Sequence, residues 1–216
     1  MTGRVAGWGL FVVAFSSLNY AARFFAGPDD RGEVAYSYAF SVGALVESGL
    51  IFGIVLWISR GTNLRETLAL RRPRSWSKAA AISVGVVISV VLVTFALAPV
   101  GNAGEEQGIA PSSWDSRRIG QFVAFAFVVA LVGPLVEELM FRGVGYSLLE
   151  PYGQTVAIVV VGLAFALVHG LLVGFPIIAA FGLGLAYLRS RTGSVYPCIL
   201  LHAAFNGTAL ALGVTS

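Results

Sequence analysis

The sequence predicts an all-α fold, a polytopic membrane bundle of about seven to eight transmembrane helices, and three observations predict it. Apolar runs of 18 residues or more recur along the chain, the length a helix needs to cross a bilayer. Of the 216 residues, 57% are hydrophobic and 12% charged, and mean hydropathy is +0.83. Charge is also sorted by loop, basic in some and acidic in others, as in chains threaded through a membrane.

The length suits one integral membrane domain over residues 1–216, with no room for a separate soluble one. A net charge of +3, gathered mainly in one loop, argues against nucleic acid as a partner. The single cysteine, Cys198, has no internal partner for a disulfide and lies in an apolar segment, where packing is its expected role. The first apolar run is too long for a signal-peptide core and lacks a convincing cleavage site, so it is taken as a span.

Taken in order, Val5 to Phe25 is the first span, with Trp8 and Tyr20 as expected interfacial anchors. A short acidic loop, 27–33, leads to a second span over Ala35 to Ser59, which contains Glu47. Glu47 could pair with a neighbouring helix or take part in function, and pairing is the favoured role. The loop from Arg60 to Lys78 carries Arg60, Arg65, Arg71, Arg72, Arg74 and Lys78 against Glu66 alone, which places it on the cytoplasmic side. Leu64, Leu68 and Leu70 among these arginines suit a short helix lying on the anionic leaflet. Ala79 to Val100 is the third span. The loop 101–118, with Glu105, Glu106 and Asp115, suits the outer side, although Arg117 and Arg118 run against that pattern.

The fourth helix runs from about Ile119 to Leu149, the fifth over Thr155 to His169 and the sixth over Pro176 to Leu188. A second basic loop, Arg189 to Gly193, precedes a seventh helix ending near Val214. Alternation from the basic loop puts the N-terminus in the cytoplasm and the C-terminus outside, in a multi-pass protein of the plasma or inner membrane. Gly162, Gly182 and Gly184 read as helix-packing positions.

Within the fourth helix, Glu137, Glu138 and Arg142 interrupt sequence that is otherwise apolar on both sides. Ionisable groups at membrane depth are costly, about 2.5–3.5 kcal/mol each on insertion scales, and mark functional sites by default. Glu138 and Arg142 are four residues apart and share a face, so they suit an ion pair. Glu137 is rotated about 100° away and lacks a cation on its own helix, which suits a proton-transferring base. At about 1.5 Å per residue, Glu137 lies roughly 18 Å from Leu149, His169 roughly 21 Å from Thr155, and His202 and Asn206 roughly 12 and 18 Å from Ser194. Four polar groups from three helices therefore fall near one level.

Such a set has two chemical uses. Glu137 and a histidine could activate water while His202 and Asn206 stabilise an oxyanion. Alternatively, Glu137, His169 and His202 could bind Zn²⁺, which lowers the pKa of its water. No His-Glu-x-x-His motif is present, so a metal site would have to assemble from separate helices.

Glu137-Glu138-x-x-x-Arg142, Phe165-x-x-x-His169 and His202-x-x-x-Asn206 together resemble the three motifs of the CAAX-protease and bacteriocin-processing family of intramembrane proteases. This group includes the Rce1-type prenyl endopeptidases and bacterial abortive-infection proteins. The resemblance covers roughly Ile119 to the C-terminus, and the Leu70-Arg-Arg-Pro73 segment is similar in style to bacterial members. It implies a catalytic core over about 119–214 and a helical cavity open to the cytoplasm. It also implies hydrolysis of a peptide or protein substrate in the bilayer. In that scheme Glu137 and His169 activate water, His202 and Asn206 stabilise the oxyanion, and Glu138 and Arg142 support the site. The competing reading is a non-enzymatic membrane immunity or partner-binding protein on the same scaffold. A proton-coupled transporter using Glu47, Glu137 and Glu138 is disfavoured because the chain has no obvious inverted repeat.

Overall fold

A computed structural model describes residues 2–26, 31–99, 106, 111 and 114–214. The described residues form helices and turns only. We label the main helices α1 (Thr2–Ala26), α2 (Tyr38–Ile58), α3 (Trp76–Leu97), α4 (Ser116–Tyr152), α5 (Gln154–Leu167), α6 (Phe175–Thr192) and α7 (Tyr196–Gly213). Four of them, α1 to α4, are long and apolar enough to cross a membrane, which confirms the all-helical membrane class. The apolar α5 has 14 residues, about 21 Å at 1.5 Å per residue and less than a bilayer core. Residues 27–30 of the expected acidic loop, and Glu105, lie outside the described residues.

Local chemistry sets the helix ends. The Ser37 and Ser75 hydroxyls accept from the Phe40 and Lys78 amides, satisfying first-turn donors of α2 and α3. Pro176 and Pro197 occupy first turns, where a missing N–H costs nothing. Gly193, at φ 69°, closes α6 in the left-handed conformation. The sixth helix therefore runs to Thr192, four residues beyond the expected end, and Arg189 is not a loop residue. Its side chain is buried, donates from Nε to the Arg142 carbonyl at 3.1 Å and lies over the Tyr146 ring.

The basic 60–78 loop departs from the expected leaflet-lying helix. Before α3 begins at Trp76, only Leu64–Thr67 is helical, and Leu68 is buried against Gly143 in the body of α4. Thr67 accepts from Ser147 at 2.8 Å, the Ala69 carbonyl accepts from the Val195 amide, and Arg71 Nε donates to the Gly193 carbonyl at 2.6 Å. The loop thus closes one end of the bundle. At the other end, Arg23 of α1 meets Glu106 at 2.8 Å, and the Glu106 carboxylate also accepts from the amides of Leu172 and Gly174. Arg118, out of place by the charge pattern, is paired with Asp115 at 2.7 Å.

One hydrophobic cluster joins residues from Trp8 in α1 to Cys198 in α7. Trp8 is not an interfacial anchor. It is 4% exposed and donates to the Met140 carbonyl, fitting over Gly145, where a Cβ would meet its ring at 2.6 Å. The α5–α6 contact is equally close: a Cβ on Gly162 would meet Leu183 backbone at 2.8 Å, and one on Gly182 would meet the Gly162 carbonyl at 2.5 Å. Cys198 is buried and packs as expected.

Candidate active site

Helix α4 is not uniform. Wide π turns at Val128–Val132 and Leu139–Gly145 flank a short α segment, Gly133–Glu138. Pro134 gives a physical cause for the first, because its ring crowds the carbonyl of residue 130 and supplies no N–H. Such turns re-aim the side chains that follow them and recur at functional sites. Here they bracket Glu137 and Glu138, and nothing in the apolar pattern announces them.

The two adjacent glutamates end in different surroundings. Glu138 and Arg142 are both fully buried and pair at 2.7 Å, so the ion pair expected from their spacing forms. Arg142 also donates from Nη2 to the Gly182 carbonyl at 3.0 Å and stacks over the Phe165 ring at 4.2 Å. His202 Nδ1 lies 2.9 Å from the same Glu138 oxygen that Arg142 holds. One carboxylate therefore ties α4 to α7, while its arginine ties α4 to α6.

Glu137 faces a cavity of about 260 Å³ that is also lined by His169, His202, Asn206 and Phe165. All four residues expected to do chemistry are brought together there. Its Oε2 atom is buried with no hydrogen-bond partner among the described residues. The Nε2 atoms of His169 and His202 stand 3.9 and 4.0 Å from that oxygen. These separations exceed a direct hydrogen bond but suit bridging by one water.

The other ring nitrogens fix the tautomers. His169 Nδ1 is 2.6 Å from the Phe165 carbonyl, which only accepts, so Nδ1 carries the proton. His202 Nδ1 faces the Glu138 carboxylate in the same sense. Each neutral imidazole therefore presents an Nε2 lone pair towards Glu137. Asn206 commits one amide N–H to the Val129 carbonyl in the first π turn, at 2.9 Å, and keeps a second donor.

His169 lies just beyond α5, in a turn reversed by Gly170 at φ 64°. Helix α1 fastens that turn: Asn19 donates to the Val168 carbonyl at 2.8 Å and Tyr20 to the Leu171 carbonyl at 3.1 Å. Neither residue stands out in the sequence as part of a site. Glu47 does, as the lone charge in its span, but the pairing expected for it does not form. It has no ion-pair or hydrogen-bond partner among the described residues and lines the cavity with Glu137.

Glu137, His169 and His202 meet, as a zinc site would require. Among the described residues, however, no group of three or more His, Cys, Asp or Glu is arranged to hold a metal ion.

Residues 119–208 match the family model described as type II CAAX prenyl endopeptidase, Rce1-like. No curated protein and no solved structure matches the chain. The matched region runs from the start of the helical part of α4 into α7 and contains every residue of the three motifs. Over this region the chain is similar to the Rce1-like type II CAAX prenyl endopeptidases.

Proposed function

We propose that the chain is an intramembrane endopeptidase in which Glu137 activates the hydrolytic water. The observation that carries this reading is the Glu137 Oε2 atom, buried, without a partner and facing two Nε2 lone pairs inside a cavity. A water bound there donates one hydrogen to Glu137 and the other to His169. Glu137 takes a proton as the water oxygen attacks the scissile carbonyl carbon. The remaining amide hydrogen of Asn206 donates to the oxyanion, and His202 joins it when Nε2 is protonated. Collapse breaks the C–N bond, and the proton held by Glu137 passes to the departing amine. Glu138 and Arg142 hold His202 and Phe165 in place. The sequence is written with the side chains alone; Glu137, His169 and His202 are the residues that would hold Zn²⁺, which would lower the pKa of its water.

We place all seven helices in a single membrane domain, with α5 to α7 as crossings and the 60–78 loop in the cytoplasm. The paired contacts at the two ends of the bundle support that alternation. The site then opens to a peptide or protein substrate.

The test is cleavage of a peptide library by the purified, reconstituted full chain, with and without chelator. Cleavage by the unaltered chain that survives chelation and is lost in both Glu137→Ala and His169→Ala is expected. Full activity in both variants ends the assignment of Glu137 and His169, and absence of cleavage by the unaltered chain favours a binding scaffold.

A further inference from the structure

Apart from the catalytic machinery, the cavity has one charged side chain left, Glu47. It comes from α2, outside the region that carries the three motifs. Its carboxylate lies close enough to Glu137 for the two charges to interact, and no basic residue acts on it. Among the described residues, no lysine or arginine lines the cavity. Arg142 does not line the cavity: it is fully buried, lies over the Phe165 ring and is paired with Glu138 and the Gly182 carbonyl. Two carboxylates, that of Glu47 exposed, thus line one cavity with no permanent cation among the described lining residues.

Glu47 also lines a second, larger space. A groove of about 650 Å³ between α1 and α2 is walled by apolar residues including Leu10, Phe11, Leu50, Ile54 and Trp57, and Glu47 is the residue it shares with the lining of the catalytic cavity. A carboxylate in such surroundings is stabilised strongly by a positive group and repels a negative one.

Resting on the protease reading above, we propose that Glu47 is a specificity-determining residue that selects substrates carrying a basic side chain near the scissile bond. The lysine or arginine of the bound peptide supplies the counterion that the protein withholds. Its docking also offsets the repulsion between Glu47 and Glu137. The role differs from that of Glu137: Glu47 reads charge and takes no proton from water.

The experiment uses the full chain in liposomes and a set of fluorogenic peptides identical except for one position, which is Lys, Gln or Glu and is walked across the sequence. The readout is the ratio of kcat/KM for the Lys peptide to that for the Gln peptide. At one or two positions that ratio should be about ten or more in the unaltered chain, the worth of one charge-assisted hydrogen bond. It should fall about tenfold in Glu47→Gln, and Glu47→Lys should prefer the Glu peptide. Equal loss on all three peptides leaves the ratio unchanged and overturns the proposal, as does the absence of any charge preference in the unaltered chain. Binding of the same peptides, followed by anisotropy, separates this idea from the one beneath it. If nothing is cleaved but Lys peptides bind more tightly to the unaltered chain than to Glu47→Gln, the protease reading fails and charge selection by Glu47 stands. Neither cleavage nor charge-dependent binding would remove both.

Discussion

Glu137 and Glu138 are neighbours in the chain and opposites in the structure. Around Glu138 one carboxylate oxygen holds two partners, Arg142 at 2.7 Å and His202 at 2.9 Å, and Arg142 in turn reaches Gly182 and Phe165, although Glu138 Oε2 and Arg142 Nε have no hydrogen-bond partner among the described residues. Around Glu137 the polar atoms converge without touching, at 3.9 and 4.0 Å. The first arrangement is a buried, directly bonded network that ties three helices together. The second holds its groups one water apart, which a reaction requires and a structural network would not. A rotation of 100° about the helix axis divides one acidic pair into a scaffold and a site.

Four experiments press on that contrast. The largest effect is expected from Glu137→Gln, which should lower kcat by about 10²–10⁴-fold. Because Oε2 has no partner to lose, the melting temperature in detergent should stay close to that of the unaltered chain. A large drop in melting temperature would mean that Glu137 belongs to the scaffold. Arg142→Met should do the reverse of separating the two regions. It leaves Glu138 buried and short of its cation, at a cost of about 3–5 kcal/mol, and denaturant unfolding should show it. Activity should fall with the fold, since His202 shares the orphaned carboxylate.

Gly162→Val tests whether the site depends on helix approach. The added side chain meets Leu183 backbone at under 3 Å, so α5 and α6 must separate, at about 1–3 kcal/mol. Displacing α5 moves His169 relative to Glu137, so kcat should drop more than KM changes. The smallest effect is expected at the outer end, from Glu106→Gln. Burial raises the pKa of this carboxyl, but the amides of Gly174 and Leu172, followed by Arg23, outweigh it and hold the value below the ordinary 4.5. A depressed value stabilises the folded chain above pH 4.5 and loses that contribution as pH falls through the lowered value. Melting curves should therefore show the unaltered chain ahead of the variant by about 1 kcal/mol near neutrality, with the two converging under acid. A difference that persists under acid would contradict the assignment.

How much was legible depended on whether the information was local. Glu138 and Arg142 sit four residues apart on one helix, so their pairing follows from helical geometry without knowledge of the rest. The motifs at Phe165 and His169, and at His202 and Asn206, could be placed at similar depth by counting residues. The π turns around Gly133–Glu138 were not visible, because Pro134 in an apolar run can kink, widen or end a helix. Trp8 and Arg189 were misplaced for a related reason. A tryptophan near a chain end and an arginine near a helix end usually face the interface, yet Met140 and Arg142 offer them buried carbonyls.

By itself, then, the sequence determined the membrane class, the order of the three polar motifs and the partnership of Glu138 with Arg142. Only the tertiary structure decided that both histidines aim Nε2 at Glu137, that α1 pins the turn bearing His169, and that Glu47 looks into the cavity. Periodicity reveals which side of a helix is buried when one side is apolar and the other polar. In a membrane, lipid and protein interior are equally apolar, so α2 carries no such contrast. Which way Glu47 points is settled by how the helices pack, and the sequence of α2 does not record it.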